Sequence, residues 1–176
     1  MTDEEAIRRC QQGDRDAFRH IVETYKDVIY GTAMLMTRDA AVADDMTQEA
    51  FISAWQGIRG FQSGRPLKPW LIRIAVNKVL SHRRQSVLPA VPLDDNANQH
   101  GADPGFVRET DNRDRVERAL SNLPEDQRQA VVLKYFAGLS LSEVSAAVKC
   151  PEGTVKSRLN RALERLRPLL EEGENE

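Results

Sequence analysis

The side chains of this sequence that could do chemistry are suited to binding nucleic acid. Between Thr154 and Arg161 the sequence TVKSRLNR brings lysine, arginine, asparagine and serine together. These residue types hydrogen-bond base edges in the major groove and phosphate oxygens. At about 100° per residue, the side chains expected to point away from the core are Ser157, Asn160, Arg161 and Glu164, flanked by Lys156 and Arg158. The alternative is an ordinary solvated face of a charged helix, and the surrounding pattern favours DNA.

That surrounding pattern predicts a helix-turn-helix. A first helix begins near Pro124 and ends at Gly138. Ser140 and Glu143 have the spacing of a capping box, which begins a short second helix. The tripeptide Lys-Cys-Pro then breaks the chain before a longer helix over residues 152–167. The side chains of this longer helix expected to pack inward are Val155, Leu159, Ala162, Leu163 and Leu166.

A second functional surface is predicted on a helix over residues 39–57. The side chains expected on its core side are Ala43, Thr47, Ala50, Phe51, Ala54 and Trp55. The opposite side, called the acidic face below, presents Asp45, Gln48, Glu49 and Ile52. An apolar side chain exposed among acids favours a docking surface for a basic protein partner. An ordinary acidic surface with one stray isoleucine is the alternative, and the pattern alone leaves both open.

Residues 58–88 form a block with seven basic and no acidic side chains. Within it, a helix predicted over 69–85 would bury Leu71, Ile72, Ala75, Val76 and Val79. The other side of this helix presents Trp70, Arg73, Asn77, Ser81 and Arg84. An aromatic ring beside guanidinium and amide groups can stack unpaired bases and follow a single-stranded backbone. Packing in the core is the alternative for Trp70. Residues 61–66 (FQSGRP) are predicted to form a loop with the flexibility to hold a flipped base.

The charge of the chain is segregated although its net value is only −2. The basic block lies between two acidic stretches, residues 1–57 and 89–127, which each carry a net charge of −5. Residues 128–168 carry a net charge of +5, and residues 169–176 carry −4. Polyanion binding depends on the local field, so two separate basic blocks favour two nucleic-acid contacts.

Other function classes find little support in the sequence. It contains no P-loop, dinucleotide-binding, zinc-protease or nucleophile-elbow motif, so we expect no enzyme. Asp44 and Asp45 would diverge by about 100° on a helix and would not readily hold one metal ion. The cysteines (Cys10, Cys150) and histidines (His20, His82, His100) form no ligand pattern, and we expect reduced thiols, no metal and no cofactor.

The predicted location is the cytosol, without insertion into a membrane. The chain has no signal-peptide pattern at its first residues. It also has no apolar run near the roughly 18 residues that span a membrane.

The predicted fold class is all-α, with two small helical domains joined by a flexible linker. Apolar residues recur at three- and four-residue spacing through most of the sequence. Proline, glycine, aspartate and asparagine concentrate between Ser86 and Val107, where too little apolar surface remains to offset chain entropy. The predicted division is a first domain over 1–86, a linker over 87–107, a helix-turn-helix domain over 108–170 and an acidic tail over 171–176.

Three stretches of the sequence resemble bacterial sigma factors of the extracytoplasmic-function group. DDMTQEAF at residues 44–51, followed by Ala54-Trp55, is similar to the segment of that family that binds core RNA polymerase. WLIRIAVN at residues 70–77 is similar to the minus-ten-element segment. The stretches similar to the minus-thirty-five-element domain are residues 123–125, 138–140 and 151–162. The likeness covers nearly the whole chain in the family's order, with departures at Leu67, Ser81 and Ser145.

The resemblance implies a role for each surface. The acidic face would bind the polymerase clamp. The residues implied to bind the melted minus-ten element, called the basic stripe below, are Phe61, Arg65, Trp70, Arg73, Asn77, Arg83 and Arg84. The residues implied to enter the groove of the minus-thirty-five element, called the recognition face below, are Thr154, Lys156, Ser157, Arg158, Asn160 and Arg161.

The function implied by the resemblance is transcription initiation without catalysis. The implied partners are core RNA polymerase, promoter DNA and an anti-sigma factor that masks both domains. The linker would run toward the active-site channel of the polymerase. A helix-turn-helix regulator acting without polymerase is the alternative, and it gives no reason for the acidic face or for the basic block at 58–88.

Overall fold

The computed structural model describes residues 1–86 and 110–171 of the chain. The predicted linker, residues 87–107, lies outside the described residues, as does the predicted tail beyond Glu171. Eight α-helices form the described part, which contains no β-strand. The all-α prediction is confirmed. No helix within the described ranges is long and apolar enough to cross a membrane.

Helices α1 to α4 form the N-terminal half. They are α1 (Asp3–Gln11), α2 (Arg15–Thr37), α3 (Ala40–Gly57) and α4 (Leu67–Ser86), with a 3₁₀ turn at Ile58–Gly60. Local side chains cap three of these helices: Thr2 accepts from the Glu5 amide, Asp14 from the Asp16 and Ala17 amides, and Asp39 from the Val42 amide. Such caps satisfy amides that have no partner within the helix. The predicted helices over 39–57 and 69–85 are confirmed, the second beginning two residues earlier at Leu67.

Helices α5 to α8 form the C-terminal half. They are α5 (Thr110–Ser121), α6 (Glu125–Val131), α7 (Leu141–Val148) and α8 (Glu152–Glu171). A π-helical turn at Val132–Phe136 continues α6, and in it the Ala137 amide donates to the Val132 carbonyl five residues earlier. The single helix predicted from Pro124 to Gly138 is therefore two segments of different winding. The capping box at Ser140 and Glu143 is confirmed, and α8 continues past Arg167 through Pro168.

Most predicted core positions are buried, with one clear error. Leu71, Ile72, Ala75, Val76 and Val79 of α4 are at most 2% exposed, as expected from their spacing. On α8 the prediction for Leu163 is wrong, because this side chain is 40% exposed while its neighbours Ala162 and Leu166 are buried. The 100° rule assigns a wide apolar face, whereas the contact with the neighbouring helices covers only its centre.

The two halves pack against each other and share one continuous apolar core. Helices α2 and α4 of the N-terminal half contact α6, the π-helical turn and α7 of the C-terminal half. Gly31 of α2 lies under the ring of Phe136, so closely that a Cβ on Gly31 would be 2.5 Å from the ring. We call this contact region the domain interface. No pattern in the sequence predicts this interface.

Candidate nucleic-acid interface

The recognition face is carried by α8, and its outer surface is open. Val155 and Ala162 are fully buried and fix the rotation of the helix against the rest of the C-terminal half. That rotation leaves Thr154, Lys156, Asn160 and Arg161 exposed and Ser157 and Arg158 half-buried. Side chains with several hydrogen-bond donors therefore project from one side of one helix, which suits a major groove.

The turn before α8 is fixed by polar contacts. Lys149 adopts a left-handed conformation with a φ of 54°, which ends α7. The Ser145 hydroxyl donates to the Cys150 carbonyl at 2.6 Å. These contacts set the angle between α7 and α8, and thereby the direction in which α8 presents its side chains.

Arg158 differs from the other basic residues of the recognition face. Its Nε lies 3.2 Å from the Asp126 carboxylate, and its Nη1 lies 3.6 Å from the Cys150 sulfur. The side chain is 28% exposed. It therefore joins α8 to α6 within the C-terminal half and is only partly available to a ligand.

The basic stripe follows α4 and the loop before it. Arg65, Arg73 and Arg84 are exposed, and Asn77 is half-buried. Arg84 Nη2 donates to the Ser81 hydroxyl at 3.1 Å. These residues place three guanidinium groups along one side of the N-terminal half, as the sequence predicts.

Two aromatic members of the basic stripe pack inward. Phe61 is only 7% exposed, and its ring centroid lies 4.9 Å from that of Trp70, which is itself half-buried. Trp70 also lies above Gly57. Much of the Trp70 ring is therefore packed against the protein, as the core-packing alternative expects. The implied direct contact of Phe61 with DNA does not fit its burial, because its ring is covered by the protein.

An open cleft separates the loop at residues 61–66 from α7. Its volume is about 360 Å³, and Arg65, Trp70 and Arg73 lie on one wall. Glu143 and Ala146 of α7 lie on the other. The C-terminal half thus forms one side of the space beside the basic stripe. These residues are far apart in the sequence, and no sequence pattern indicates that they are close together in the folded chain.

The acidic face is confirmed as exposed. Asp45, Gln48 and Glu49 are exposed, and Ile52 is 58% exposed. Gln48 Nε2 donates to the Asp44 carboxylate at 2.8 Å, and the Glu49 carboxylate lies 3.3 Å from Lys78 Nζ on α4. Met46 of the same helix is buried as well, in addition to the core positions expected from the spacing. The acidic face therefore has one exposed apolar side chain, Ile52, with acidic and amide side chains beside it.

Arg83 is part of the domain interface. It forms an ion pair with Glu125 at the beginning of α6. Burial and the nearby charge of Arg38 lower its pKa. Arg128 of α6 is also buried there, with its Nη2 3.4 Å from the Met36 carbonyl. Sequence reasoning missed Arg38 and Arg128, and no local pattern marks the burial of Arg128, which lies between Gln127 and Gln129.

The described residues contain no cluster of three or more histidine, cysteine or acidic side chains able to hold a metal ion. Cys10 is buried, Cys150 is half-buried, and both thiols are free.

Two family models match the chain. Residues 21–87 match the model of Sigma-70 region 2, and residues 113–166 match that of Sigma-70, region 4. The first covers the acidic face and the basic stripe, and the second covers the recognition face.

Curated proteins and a solved structure are similar over most of the chain. The RNA polymerase sigma-H factor of Pseudomonas aeruginosa is 34% identical over 97% of this chain and 96% of its own length. The ECF RNA polymerase sigma factor SigW of Bacillus subtilis is 35% identical over 93% of this chain and 94% of its own. The sigma factor RpoE of Bartonella quintana, solved in complex with the anti-sigma factor NepR, has a TM-score of 0.69 and 29% identity, covering 88% of this chain and 96% of that one.

Proposed function

Because this chain belongs to the extracytoplasmic-function group of bacterial RNA polymerase sigma factors, we propose that it directs core RNA polymerase to promoters through three separate surfaces. Members of this family are transcription initiation factors rather than enzymes. The protein binds core polymerase, recognises promoter DNA and promotes its melting. It does this in the cytoplasm, where the polymerase is. The observation that carries the proposal is the acidic face, which a DNA-binding regulator without a polymerase partner does not need.

The acidic face binds the polymerase. Asp45, Gln48 and Glu49 supply negative charge and hydrogen-bond acceptors, and Ile52 supplies apolar surface at their edge. Apolar contact with a surrounding polar rim is the usual composition of a protein interface. The ion pair of Glu49 with Lys78 holds its carboxylate in place before the partner arrives.

The recognition face reads the minus-thirty-five element as duplex DNA. Asn160, Arg161 and Lys156 are exposed on one side of α8. Asparagine and arginine pair with base edges, and lysine contacts phosphates. Thr154, Ser157 and Arg158 stand beside them, Arg158 after release from Asp126.

The basic stripe binds the melted minus-ten element. Arg65, Arg73 and Arg84 attract the phosphates, and Asn77 bonds base edges. Trp70 offers part of its ring for stacking, while Phe61 holds that ring from below. Arg83 joins the stripe only when its ion pair with Glu125 opens.

The two DNA-binding surfaces belong to two domains, over residues 1–86 and 108–170, joined by a linker over 87–107. Residues 1–86 contain the Sigma-70 region 2 match except for its last residue, and residues 108–170 contain the whole region 4 match. Because α7 stands beside the basic stripe, we infer that the two domains move apart when both promoter elements bind.

An anti-sigma factor is the proposed regulator. The Bartonella quintana relative was solved with such a protein bound. A partner that binds both halves together would keep Arg83 paired with Glu125 and α7 beside the basic stripe.

Run-off transcription with purified core polymerase on a promoter library tests the proposal. We expect transcripts that depend on this protein and that share two sequence elements upstream of their start sites. Charge reversal of the acidic face, Asp45→Lys with Glu49→Lys, should abolish both transcription and association with core polymerase while leaving the helical circular dichroism spectrum unchanged.

The matched control is Glu23→Lys with Asp27→Lys, which reverses two exposed acids at the same four-residue spacing on α2. This control should remain active. Full polymerase association by the Asp45→Lys, Glu49→Lys variant would refute the role of the acidic face.

A further inference from the structure

Three guanidinium groups converge at the domain interface. Arg38 ends α2, Arg83 lies in α4 and Arg128 lies in α6. Burial, together with the charges of Arg38 and Arg83, lowers the pKa of Arg128. Glu125 brings a carboxylate to this group by pairing with Arg83. Like charges at such proximity cost free energy unless a counter-charge is bound.

The guanidinium group of Arg128 carries a hydrogen-bond donor that no described residue accepts. The residue is 6% exposed, and its Nε has no hydrogen-bond partner among the described residues. Its Nη2 reaches the Met36 carbonyl at 3.4 Å, a long contact at the C-terminal end of α2. A buried donor without a partner costs about 1–3 kcal/mol, and such groups call for a ligand or a functional explanation.

Arg128 lines an open cleft together with Arg38. The cleft has a volume of about 430 Å³, and its other charged lining side chains, on α5, are Asp114, Glu117 and Arg118. Arg118 Nε donates to the backbone carbonyl of Asp114. The arginine side of the cleft comes from α2 and α6, and thus from both halves of the chain. Three arginines against two carboxylates leave the lining with a net charge of +1 (3 − 2), and the donor without a partner lies on the arginine side.

We propose that this cleft binds a phosphate-type oxyanion, either inorganic phosphate or the terminal phosphate of a nucleotide, between Arg38 and Arg128. The Nε and Nη groups on one edge of a guanidinium match two oxygens of such an anion. Arg83, whose charge also acts on Arg128, adds positive field at the site, which its ion pair with Glu125 partly offsets. Because Arg38 and Arg128 belong to different halves, the bound anion also links those halves.

Isothermal titration calorimetry of the full chain tests the site, with sodium phosphate as the first probe and magnesium-free ATP as the second. Both are titrated at a constant ionic strength set by sodium chloride. We expect saturable binding at one site, and a rise of the thermal unfolding midpoint at saturation because the anion binds only the folded chain. Similar affinity for both probes identifies free phosphate as sufficient. Binding of ATP alone assigns the site to a nucleotide.

Arg38→Gln is the decisive variant, since Arg38 is exposed and its loss leaves the core intact. It should weaken binding at least tenfold, and Arg128→Gln should do the same. Arg19→Gln is the matched control on the same helix, where Arg19 pairs with Asp16 at the surface. The proposal is overturned if neither probe binds saturably, if Arg38→Gln binds as the wild type does, or if Arg19→Gln weakens binding equally.

Discussion

The two basic regions of this protein differ in how open they are. The side chains of Lys156, Asn160 and Arg161 on the recognition face of α8 are exposed. The basic stripe shares its space with the C-terminal half, because α7 forms one wall of the cleft beside it and Glu125 holds Arg83. In this arrangement the proposed duplex-binding surface is open, and the proposed single-strand surface is partly covered by the C-terminal half.

A positive charge in the sequence therefore does not by itself make a binding surface. Arg161 and Arg83 both lie on helices in basic blocks of the sequence. Arg161 is exposed to solvent, whereas Arg83 packs against the C-terminal half and pairs there with Glu125. Access to the proposed minus-ten surface therefore depends on the domain interface, which can be altered separately from α8.

The largest effect we expect comes from Phe61, which separates packing from DNA contact within the basic stripe. Phe61→Ala removes a ring that is 7% exposed and packed on Trp70, so the free energy of unfolding should fall by about 3–5 kcal/mol. Arg65→Ala, at an exposed position of the same loop, should change it by less than about 0.5 kcal/mol and yet weaken single-strand binding. Urea denaturation and fluorescence anisotropy measure the two effects. An equally stable Phe61→Ala variant would contradict the packing role.

The sequence predicts helices better than it predicts contacts between them. Capping at Ser140 and Asp39 is a local interaction, so residue type and spacing are enough to place it. The burial pattern of α4 likewise follows from a helix with one wide apolar side. The prediction for Leu163 was wrong because the width of the covered area depends on neighbouring helices.

The candidate surfaces were predicted to different degrees for the same reason. The acidic face lies on one helix, and its exposure follows from the period of α3 alone. The pairing of Arg83 with Glu125 joins residues 42 positions apart, and Arg128 meets Met36 across 92 positions. No helical period relates such residues. Only the folded arrangement brings them together.

The second-largest expected effect tests whether the exposed side chains of the recognition face bind duplex DNA. Lys156→Ala with Arg161→Ala should weaken binding to upstream promoter duplex by about 2 kcal/mol or more, which is roughly thirtyfold. If both side chains contact phosphates, the dependence of log K on log salt concentration should flatten by about 1.8, at about 0.9 for each contact. Arg165→Ala with Arg167→Ala is the matched control, since both are exposed further along α8. An unchanged salt dependence in the first variant would remove its side chains from the phosphate contacts.

The third effect tests whether the domain interface limits the basic stripe. Gly31→Ala places a Cβ 2.5 Å from the tip of the Phe136 ring, so this ring must move and the contact between the halves should loosen. Single-strand binding should then strengthen by roughly tenfold, a change of about 1.4 kcal/mol, while duplex binding by α8 stays the same. Gly153→Ala is the control, because a Cβ there meets no atom within 4 Å. If both DNA affinities changed together, the two surfaces would not be independent.

The smallest effect concerns Arg158, the one basic side chain of the recognition face that is held within the protein. Asp126→Asn removes the charge that lies 3.2 Å from Arg158 Nε. Because Asp126 is 48% exposed, solvent screens this pair, and the free energy of unfolding should fall by less than about 1 kcal/mol. Release of Arg158 toward DNA should at the same time strengthen duplex binding by a few-fold. Asp16→Asn, which breaks the exposed pair with Arg19 on α2, should change neither quantity measurably. Weaker duplex binding in Asp126→Asn would mean that the ion pair positions Arg158 for DNA. Contacts with α6 would then order α8 for binding, whereas contacts with α7 obstruct the basic stripe.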